Sequence, residues 1–455
     1  MKIVIVGCGK VGSSLAENLS CDKQYDVTII DLRESITRSL ENYYDVIAIT
    51  GNCLSVDVLD EANMSDTTIF IATTDSDEVN ILSCLIARKK GAKHCVSRVR
   101  STDYSKQLVF MREDLGISMM VNPDLTAASD ISRILRYPRA IKIESFSRGR
   151  VDLIELRITE DNILANRTLI ELSKKLKIDI LICAVQRGDD VFIPNGNTMI
   201  LPDDRIHLTA SHTEIVKFFR AISDVYRSKS IKSVLIIGGG RVAYHLALQL
   251  VRQGTNRIKI IEVNEERCKV LSEKLKKVEI SCGDGTDQRI LEEEGIDSFD
   301  AFLALTGIDE ENIILSLYAK KRGIKKVITK INRLSLLDIA ESFGLESIVS
   351  PKAITVNTIL QYVRARKNSN GSGIITLYRL LSERLEALEF VIKKNESYVG
   401  VPLKDLKFRN NIIIASILRG NQHIVPKGDD FLMINDSVVV ITAHKGMNDI
   451  NEIFG

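Results

Sequence analysis

The sequence has no C-x-x-C pair, no apolar run long enough to span a membrane and no excess of either charge. Its eight cysteines are scattered and its six histidines lie far apart, so neither a disulfide framework nor a metal site is indicated. A membrane span needs roughly 18–20 apolar residues, and the apolar start at 1–6 is too short for a secretory segment. With 62 basic and 60 acidic residues the chain has no basic footprint for nucleic acid. We expect a cytoplasmic protein.

The chain contains an internal repeat. The segment VIVGCGKVG at 4–12 returns as LIIGGGRVA at 235–243, a shift of 231 residues. Later matches keep this shift to within one residue, including Arg187-Gly188 with Arg419-Gly420. Such a constant spacing indicates two similar halves, each with a glycine-rich start and a smaller segment behind it.

The repeat predicts four domains in 455 residues, 45% of which are hydrophobic. We expect an α/β fold with two tandem Rossmann-like, doubly wound parallel sheets, each followed by a small α+β module. The predicted boundaries are 1–123 and 232–350 for the nucleotide-binding units and 143–227 and 370–455 for the small modules. The linking regions, 122–138 and near Ser350-Pro351, are predicted as hinge and pairing regions, with a helix of small residues at 127–135.

Each half opens with a dinucleotide-binding signature. Gly7 permits a tight turn after the first strand, Gly9 lets the backbone approach a pyrophosphate, and Gly12 allows close packing of a helix predicted at 11–19. The free N–H groups of that helix point at the phosphates. In the second half Ala243 replaces the third glycine.

An acidic residue ends the second predicted strand of each half, Asp31 in the first and Glu262 in the second. A carboxylate there accepts hydrogen bonds from a ribose diol and repels a 2′-phosphate, which favours NAD(H) over NADP(H). The same features suit adenosine alone, so ATP and ADP stay open as ligands.

Other candidate residues follow the fourth and fifth predicted strands, at the ligand edge of such sheets. Thr73-Thr74 and Thr306 follow the fourth strand, and Arg98 and Lys330 follow the fifth. A cation at this edge either neutralises phosphate or forms an exposed ion pair.

The helix after the fourth strand begins with acids in both halves. Asp77-Glu78 and Asp309-Glu310 are predicted to cap it, since acids suit a helix N-terminus. Asn80 and Asn312, one turn further on, have no role that the sequence requires.

A catalytic group is missing from these patterns. There is no Tyr-x-x-x-Lys pair, and no histidine falls in a repeated position. Two nucleotide sites without a general acid or base indicate a sensor, not an enzyme. An NAD-dependent oxidoreductase of unknown substrate is the alternative.

The ordered, duplicated set of motifs (G-x-G-x-x-G, a terminal acid, Gly-Asn or Gly-Asp, then Thr-x-x-Asp-Glu-x-Asn) resembles the TrkA family, built from two tandem RCK (KTN) units. The resemblance covers essentially the whole chain. It implies a cytoplasmic regulatory subunit, attached peripherally to the inner face of the cell membrane, that binds NAD (NADH) and, in some members, ATP or ADP. It also implies dimers or a higher ring, a TrkH/TrkG-like integral-membrane potassium-translocating partner, and no chemistry. A regulator of a different potassium channel or efflux system is the alternative.

The resemblance also implies two sets of cofactor-binding residues. The first set is Gly7, Cys8, Gly9, Lys10, Val11, Gly12, Asp31, Asn52, Thr73, Thr74 and Arg98. The second set is Gly238, Gly239, Gly240, Arg241, Val242, Glu262, Asp284, Thr306 and Lys330. The second departs from the pattern at Ala243, Glu262, Gly307 and Lys330, so we expect the two sites to differ in affinity or ligand.

Overall fold

The computed structural model describes residues 1–101, 115–137, 139–146, 150–223, 231–367, 374–381, 384–444, 446–447 and 449–455. Pro138, at the end of the first predicted hinge, lies outside the described residues. The boundary residues 224–227 and 370 of the predicted small modules also lie outside them.

The first unit is a six-stranded parallel sheet in the order β3-β2-β1-β4-β5-β6. Its strands are β1 Lys2–Val6, β2 Asp26–Asp31, β3 Ile47–Thr50, β4 Ile69–Ala72, β5 His94–Arg98 and β6 Met119–Val121. Its helices are α1 Lys10–Ser20, α2 Glu34–Tyr43, α3 Val56–Glu61 and α4 Asp77–Lys89. The continuous apolar runs of β1 and β4 are fully buried, because helices cover both faces of a doubly wound sheet.

A crossover helix, α5 Pro123–Arg136, leads into the first small module and contains the predicted helix 127–135. The module has a five-stranded antiparallel sheet in the order β11-β10-β13-β8-β7 and a separate pair, β9 with β12. The strands are β7 Ala140–Phe146, β8 Val151–Arg157, β9 Arg167–Thr168, β10 Ile180–Arg187, β11 Asp190–Phe192, β12 Met199–Ile200 and β13 Arg205–Ala210. The helices are α6 Leu169–Leu176 and α7 His212–Ser223.

The second half repeats this plan, with the parallel order β16-β15-β14-β17-β18-β19. The strands are β14 Ser233–Ile237, β15 Arg257–Glu262, β16 Glu279–Cys282, β17 Ala301–Ala304, β18 Lys326–Lys330 and β19 Ser347–Val349. The helices are α8 Arg241–Arg252, α9 Glu265–Lys274, α10 Gln288–Glu293, α11 Asp309–Lys321 and α12 Leu337–Ser342.

The second crossover helix, α13 Pro351–Lys367, leads to the last antiparallel sheet, in the order β20-β21-β24-β22-β23. Its strands are β20 Ile374–Leu380, β21 Leu385–Val391, β22 Ile412–Arg419, β23 Gln422–Ile424 and β24 Ser437–Thr442. The two parallel sheets, each followed by a small α+β module, confirm the predicted fold class.

The crossover helices exchange partners between the halves. Helix α5 packs on α8 of the second half, where Gln249 Nε2 donates to Ser129 Oγ at 3.0 Å and Gln253 Nε2 donates to Ser132 Oγ at 2.8 Å. Helix α13 packs on α1 of the first half, and its apolar residues at 356–363 share one core with those of α1. Each crossover helix therefore joins the helix that follows the other half's glycine loop.

Candidate functional site

The first glycine loop has two positions that the fold restricts to glycine and one that it leaves open. Gly7 has φ +81°, and a Cβ there would lie 2.5 Å from Thr74 N. A Cβ on Gly12 would lie 2.3 Å from the carbonyl oxygen of Gly7. A Cβ on Gly9 would meet nothing within 4 Å. The space in front of Gly9, at the start of α1, is available for a close approach by a ligand.

Asp31 connects this loop to the end of β2. Its Oδ2 accepts a hydrogen bond from Cys8 N at 2.8 Å, and its Oδ1 accepts one from Arg33 N at 3.0 Å. Arg33 Nε also donates to Oδ1 at 3.3 Å. A carboxylate has about four acceptor positions, so one position is left for a ribose hydroxyl. Burial is the main cause that raises the pKa of the Cys8 thiol to about 12, and the nearby Asp31 carboxylate adds to it. Cys8 is therefore an inert part of the core.

A cavity of about 470 Å³ lies between the loop and α2. Gly9, Lys10, Ser13 and Arg33 line it, together with residues of α2. Its volume is in the range of small-molecule sites. Val11, in contrast, is buried against the core of α1 and supports the loop from behind.

Asn80 organises the opposite side of the site. Its Oδ1 accepts from Thr74 N at 2.8 Å, and its Nδ2 donates to the carbonyl oxygens of Thr74 and Arg98 at 3.1 and 3.0 Å. Thr73 Oγ1 donates to the carbonyl oxygen of Gly7 at 3.0 Å. The buried amide thus ties the ends of β4 and β5 together. The sequence requires no role of Asn80, and its recurrence as Asn312 is the one signal there that points to it.

Arg98 is buried, with 8% of its surface exposed, and the predicted ion pair forms with the exposed carboxylate of Asp75. One guanidinium nitrogen donates to the carbonyl oxygen of Thr74 at 2.6 Å and lies 3.3 Å from Asp75 Oδ1. Burial lowers the pKa of Arg98. Within the described part of the chain, its Nε has no hydrogen-bond partner. A buried donor without a partner is costly, and an anionic ligand would satisfy it.

The prediction that Asp77 caps α4 is wrong. The cap is Ser76, whose Oγ accepts from Val79 N at 3.2 Å. Asp77 Oδ2 accepts instead from the backbone N–H groups of residues 100 and 101, so it ties the loop after β5 to α4. Asp309 does the same in the second half with Asn332 N and Arg333 N, and is likewise not the cap of α11.

The second site has the same frame. Gly238 has φ +95°, and Glu262 accepts from Gly239 N at 2.6 Å and from Asn264 N at 2.9 Å. The amide of Asn312 accepts from Thr306 N at 2.9 Å and donates to the carbonyl oxygen of Lys330 at 3.0 Å. A Cβ on Gly240 would meet nothing within 4 Å, and Val242 is buried like Val11.

The cationic side chains of the second site already have partners within the protein. Arg241 Nε forms an ion pair with Asp124 Oδ2 of α5 at 2.9 Å. Arg267 Nε donates to the carbonyl oxygen of Gly239 at 2.7 Å. Lys330 Nζ donates to the carbonyl oxygen of Leu305 at 3.2 Å, and burial lowers its pKa. The ion pair of Arg241 distinguishes the second site from the first, since Lys10 has no such partner among the described residues, whereas Lys330 and Arg98 both donate to a backbone carbonyl oxygen.

Asn52 and Asp284 form exposed turns after β3 and β16. Asn52 Oδ1 accepts from Leu54 N at 3.0 Å, and Asp284 Oδ1 accepts from Thr286 N at 2.9 Å. Both turns lie next to the ends of β2 and β15, where Asp31 and Glu262 lie. Their side chains shape these turns in the structure.

Metal ligands and membrane spans also bear on function. Among the described residues, no group of three or more His, Cys, Asp or Glu side chains has the arrangement of a metal site. No helix of the described residues is long and apolar enough to cross a membrane. Six of the eight cysteines are buried.

Comparison with known sequences gives matches over the full length. The TrkA-N domain model matches residues 3–123 and 234–351, and the TrkA-C domain model matches residues 153–223 and 387–455. A Trk system potassium uptake protein TrkA homolog of Archaeoglobus fulgidus is 33% identical, with all of both chains covered. The Trk system potassium uptake protein TrkA of Vibrio alginolyticus is 31% identical over 100% of this chain and 98% of its own.

Solved structures share the fold. The GsuK channel aligns with a TM-score of 0.64 at 17% identity, covering 97% of this chain and 76% of that one. A GsuK channel bound to NAD aligns with a TM-score of 0.63, with the same identity and coverage.

Proposed function

Because this chain belongs to the TrkA family, we propose that it is the nucleotide-sensing regulatory subunit of a potassium uptake system. It acts on an integral-membrane potassium-translocating partner and works as a dimer or a larger ring. Its ligand is NAD(H), with ATP or ADP as competitors for the same site. It performs no chemistry on the nucleotide.

The first site carries this proposal. The open Gly9 and the helix start at Lys10 line one cavity, and the carboxylate of Asp31 is hydrogen-bonded to Cys8 N of the same loop. This set matches the needs of a pyrophosphate and an adjoining ribose. The GsuK structures are described as bound to NAD and to ADP. Asp31 favours a ribose without a 2′-phosphate, so NAD(H) should bind more tightly than NADP(H).

Regulation follows from the packing of the crossover helices. A nucleotide at the first loop contacts the start of α1, on which α13 of the second half packs. A ligand shifts a conformational equilibrium only by its differential affinity for the two states. Two nucleotides that bind the alternative α1–α13 packings with different affinities would therefore favour different arrangements of the two halves. The membrane partner would respond to that arrangement.

The test compares Asp31→Asn with Asp26→Asn, an exposed acid at the other end of β2. Calorimetric titration with NADH and NADPH should show weaker NADH binding only in Asp31→Asn. Rubidium uptake by cells that lack the gene should be restored by wild type and Asp26→Asn, and should lose its response to nucleotide levels with Asp31→Asn. Equal NADH affinity in both variants, or uptake that is independent of the gene, would contradict the proposal.

The oxidoreductase alternative is tested in the same samples. Bound NADH should be recovered unchanged in the presence of carbonyl acceptors, because the repeated motifs contain neither a Tyr-x-x-x-Lys pair nor a histidine. Sustained NADH oxidation would favour the enzyme instead.

A further inference from the structure

The two crossover helices carry opposite charges at equivalent positions. Helix α5 begins Pro123-Asp124, and α13 begins Pro351-Lys352. Each start follows the last strand of its parallel sheet and lies near the glycine loop of the other half. The charge on this second helical residue is therefore presented to the other half's nucleotide site.

At the second site this charge is neutralised within the protein. Asp124 Oδ2 pairs with Arg241 Nε at 2.9 Å, and Asp124 is mostly buried while Arg241 is half exposed. Arg241 is the first residue of α8, in the position that Lys10 holds in α1. The first cation of the second loop thus already has an anionic partner.

At the first site the equivalent pair is two lysines. Lys10 and Lys352 line one cavity of about 750 Å³ between α1 and α13. In the portion of the chain that the structure describes, neither ammonium group has a carboxylate at ion-pair distance. Burial, the neighbouring Lys10 and, more weakly, Arg98 lower the pKa of Lys352 to about 8, against the opposing effect of Asp309. The free protein therefore holds like charges together at an energetic cost.

Arg98 is a third cation near this site, and one of its buried hydrogen-bond donors lacks a partner among the described residues. The side chain is more than nine-tenths buried, and this donor is Nε. Its counterpart Lys330 is near Asp124, which raises the pKa of that lysine against the effect of burial. Arg98 also pairs with the exposed Asp75 at 3.3 Å. Among the described residues, the cations of the first site without a carboxylate partner are therefore Lys10 and Lys352, whereas at the second site Arg241 is paired with Asp124.

Other charges in the cavity are less available. Lys142 forms an ion pair with Glu144 at 2.6 Å, and Arg333 pairs with Glu310 outside the cavity. Glu17 and Arg364 complete the charged lining. The positive charge without a carboxylate partner is therefore concentrated at Lys10 and Lys352, beside the open glycine loop.

We infer that Lys352 of the second half completes the first nucleotide site and, with Lys10, holds a phosphate group of the bound nucleotide. This inference rests on the function proposed above. The ligand class is a nucleotide with a phosphate chain, such as NAD or ADP, and adenosine lacks the group that the two lysines bind. The bound phosphate neutralises the like charges and links α1 to α13. At the second site Asp124 occupies the corresponding place, so that site binds phosphate more weakly.

Calorimetric titration of full-length protein with ADP and with adenosine tests this. Lys352→Gln should weaken ADP binding at the first site roughly 10- to 100-fold, the loss expected for one charge-assisted hydrogen bond, and leave adenosine binding unchanged. Lys352→Arg should keep most of the ADP affinity, and the exposed Lys394→Gln is the control. Equal ADP affinity in Lys352→Gln and wild type, or equal losses for ADP and adenosine, would overturn the inference.

Two further variants separate this inference from general folding effects. Lys352→Asp should melt at a higher temperature than wild type without nucleotide, because it replaces a like-charge pair by an ion pair, and a lower melting temperature counts against it. Asp124→Lys should raise ADP affinity at the second site, and unchanged affinity there also counts against it. If wild type binds neither ADP nor NADH, the proposed function falls together with this inference. If wild type binds both and Lys352→Gln is silent, only the inference falls.

Discussion

Lys326 offers a sharp test of how the two halves are held together. Its side chain is 5% exposed, on β18 of the second parallel sheet. Its Nζ donates to the carbonyl oxygen of Ala140, in the first small module, at 2.5 Å and to Ser347 Oγ at 2.8 Å. Burial lowers the pKa of Lys326 from 10.5 to about 7, although Glu346 partly offsets this.

The sign of the pH dependence follows from this pKa. Below about pH 7 both the folded and the unfolded chain carry the proton, so this group gives no slope. Between about pH 7 and 10.5 only the unfolded chain holds the proton, and the free energy of unfolding rises with pH. The slope approaches about 1.4 kcal/mol per pH unit, so the gain from pH 7 to pH 9 is on the order of 2–3 kcal/mol.

The perturbation is Lys326→Met, which keeps the length of the side chain and removes the titrating group. It leaves the carbonyl oxygen of Ala140 without this donor, which costs about 1–3 kcal/mol at every pH. The difference in unfolding free energy between wild type and variant should therefore grow from pH 7 to pH 9. Urea unfolding followed by circular dichroism at several pH values measures it, since other ionisations cancel in the difference.

The adjacent Lys325 is exposed and provides the matched control as Lys325→Met. Its stability curve should run parallel to that of wild type. Parallel curves for Lys326→Met as well would refute the reasoning, because they would mean that Lys326 titrates in the folded protein as it does in the unfolded chain.

Three other outcomes are expected from the glycine loop and the contact between the halves. Gly9→Ala should keep the wild-type melting temperature but weaken NADH binding in calorimetry. Gly7→Ala should lower the melting temperature, because its Cβ would lie 2.5 Å from Thr74 N. Equal melting temperatures for the two variants would contradict this. Asn80→Ala should cost about 1–3 kcal/mol for each buried backbone group left unpaired, and a change below 0.5 kcal/mol in urea unfolding would speak against its bridging role. Ala128→Leu, in the core shared by α5 and α8, should destabilise by about 1–3 kcal/mol through overpacking, and a neutral effect on thermal unfolding would show that this core has room.

Much of each site could be predicted from local sequence. Gly7 has the positive φ that the turn requires, and Asp31 reaches the loop from the end of β2, because a short strand–turn–helix unit is determined by neighbouring residues. The exact shift of the repeat carried this prediction to Gly238 and Glu262. The period of the apolar residues similarly predicted the strands and the helix after each loop.

Other parts could not be predicted because they depend on groups brought together by the fold. Asp77 fits a helix cap by local rules, yet its carboxylate binds backbone N–H groups more than 20 residues away. Asn80 has an ordinary place on a helix, and its importance comes from two strand ends that only the parallel sheet places beside it.

The sequence by itself determined that there are two frames of one kind, each with the glycine pattern of a dinucleotide site, since glycines, a terminal acid and apolar periodicity act over short stretches of chain. Only the tertiary structure decided which half's crossover helix lies beside each frame. The crossover helices pack on the opposite halves, so Asp124 meets Arg241 and Lys352 joins Lys10 across the chain. Charges that are far apart in the sequence contribute to one site only when the fold packs them together and excludes water between them. That packing has no signature in the local sequence.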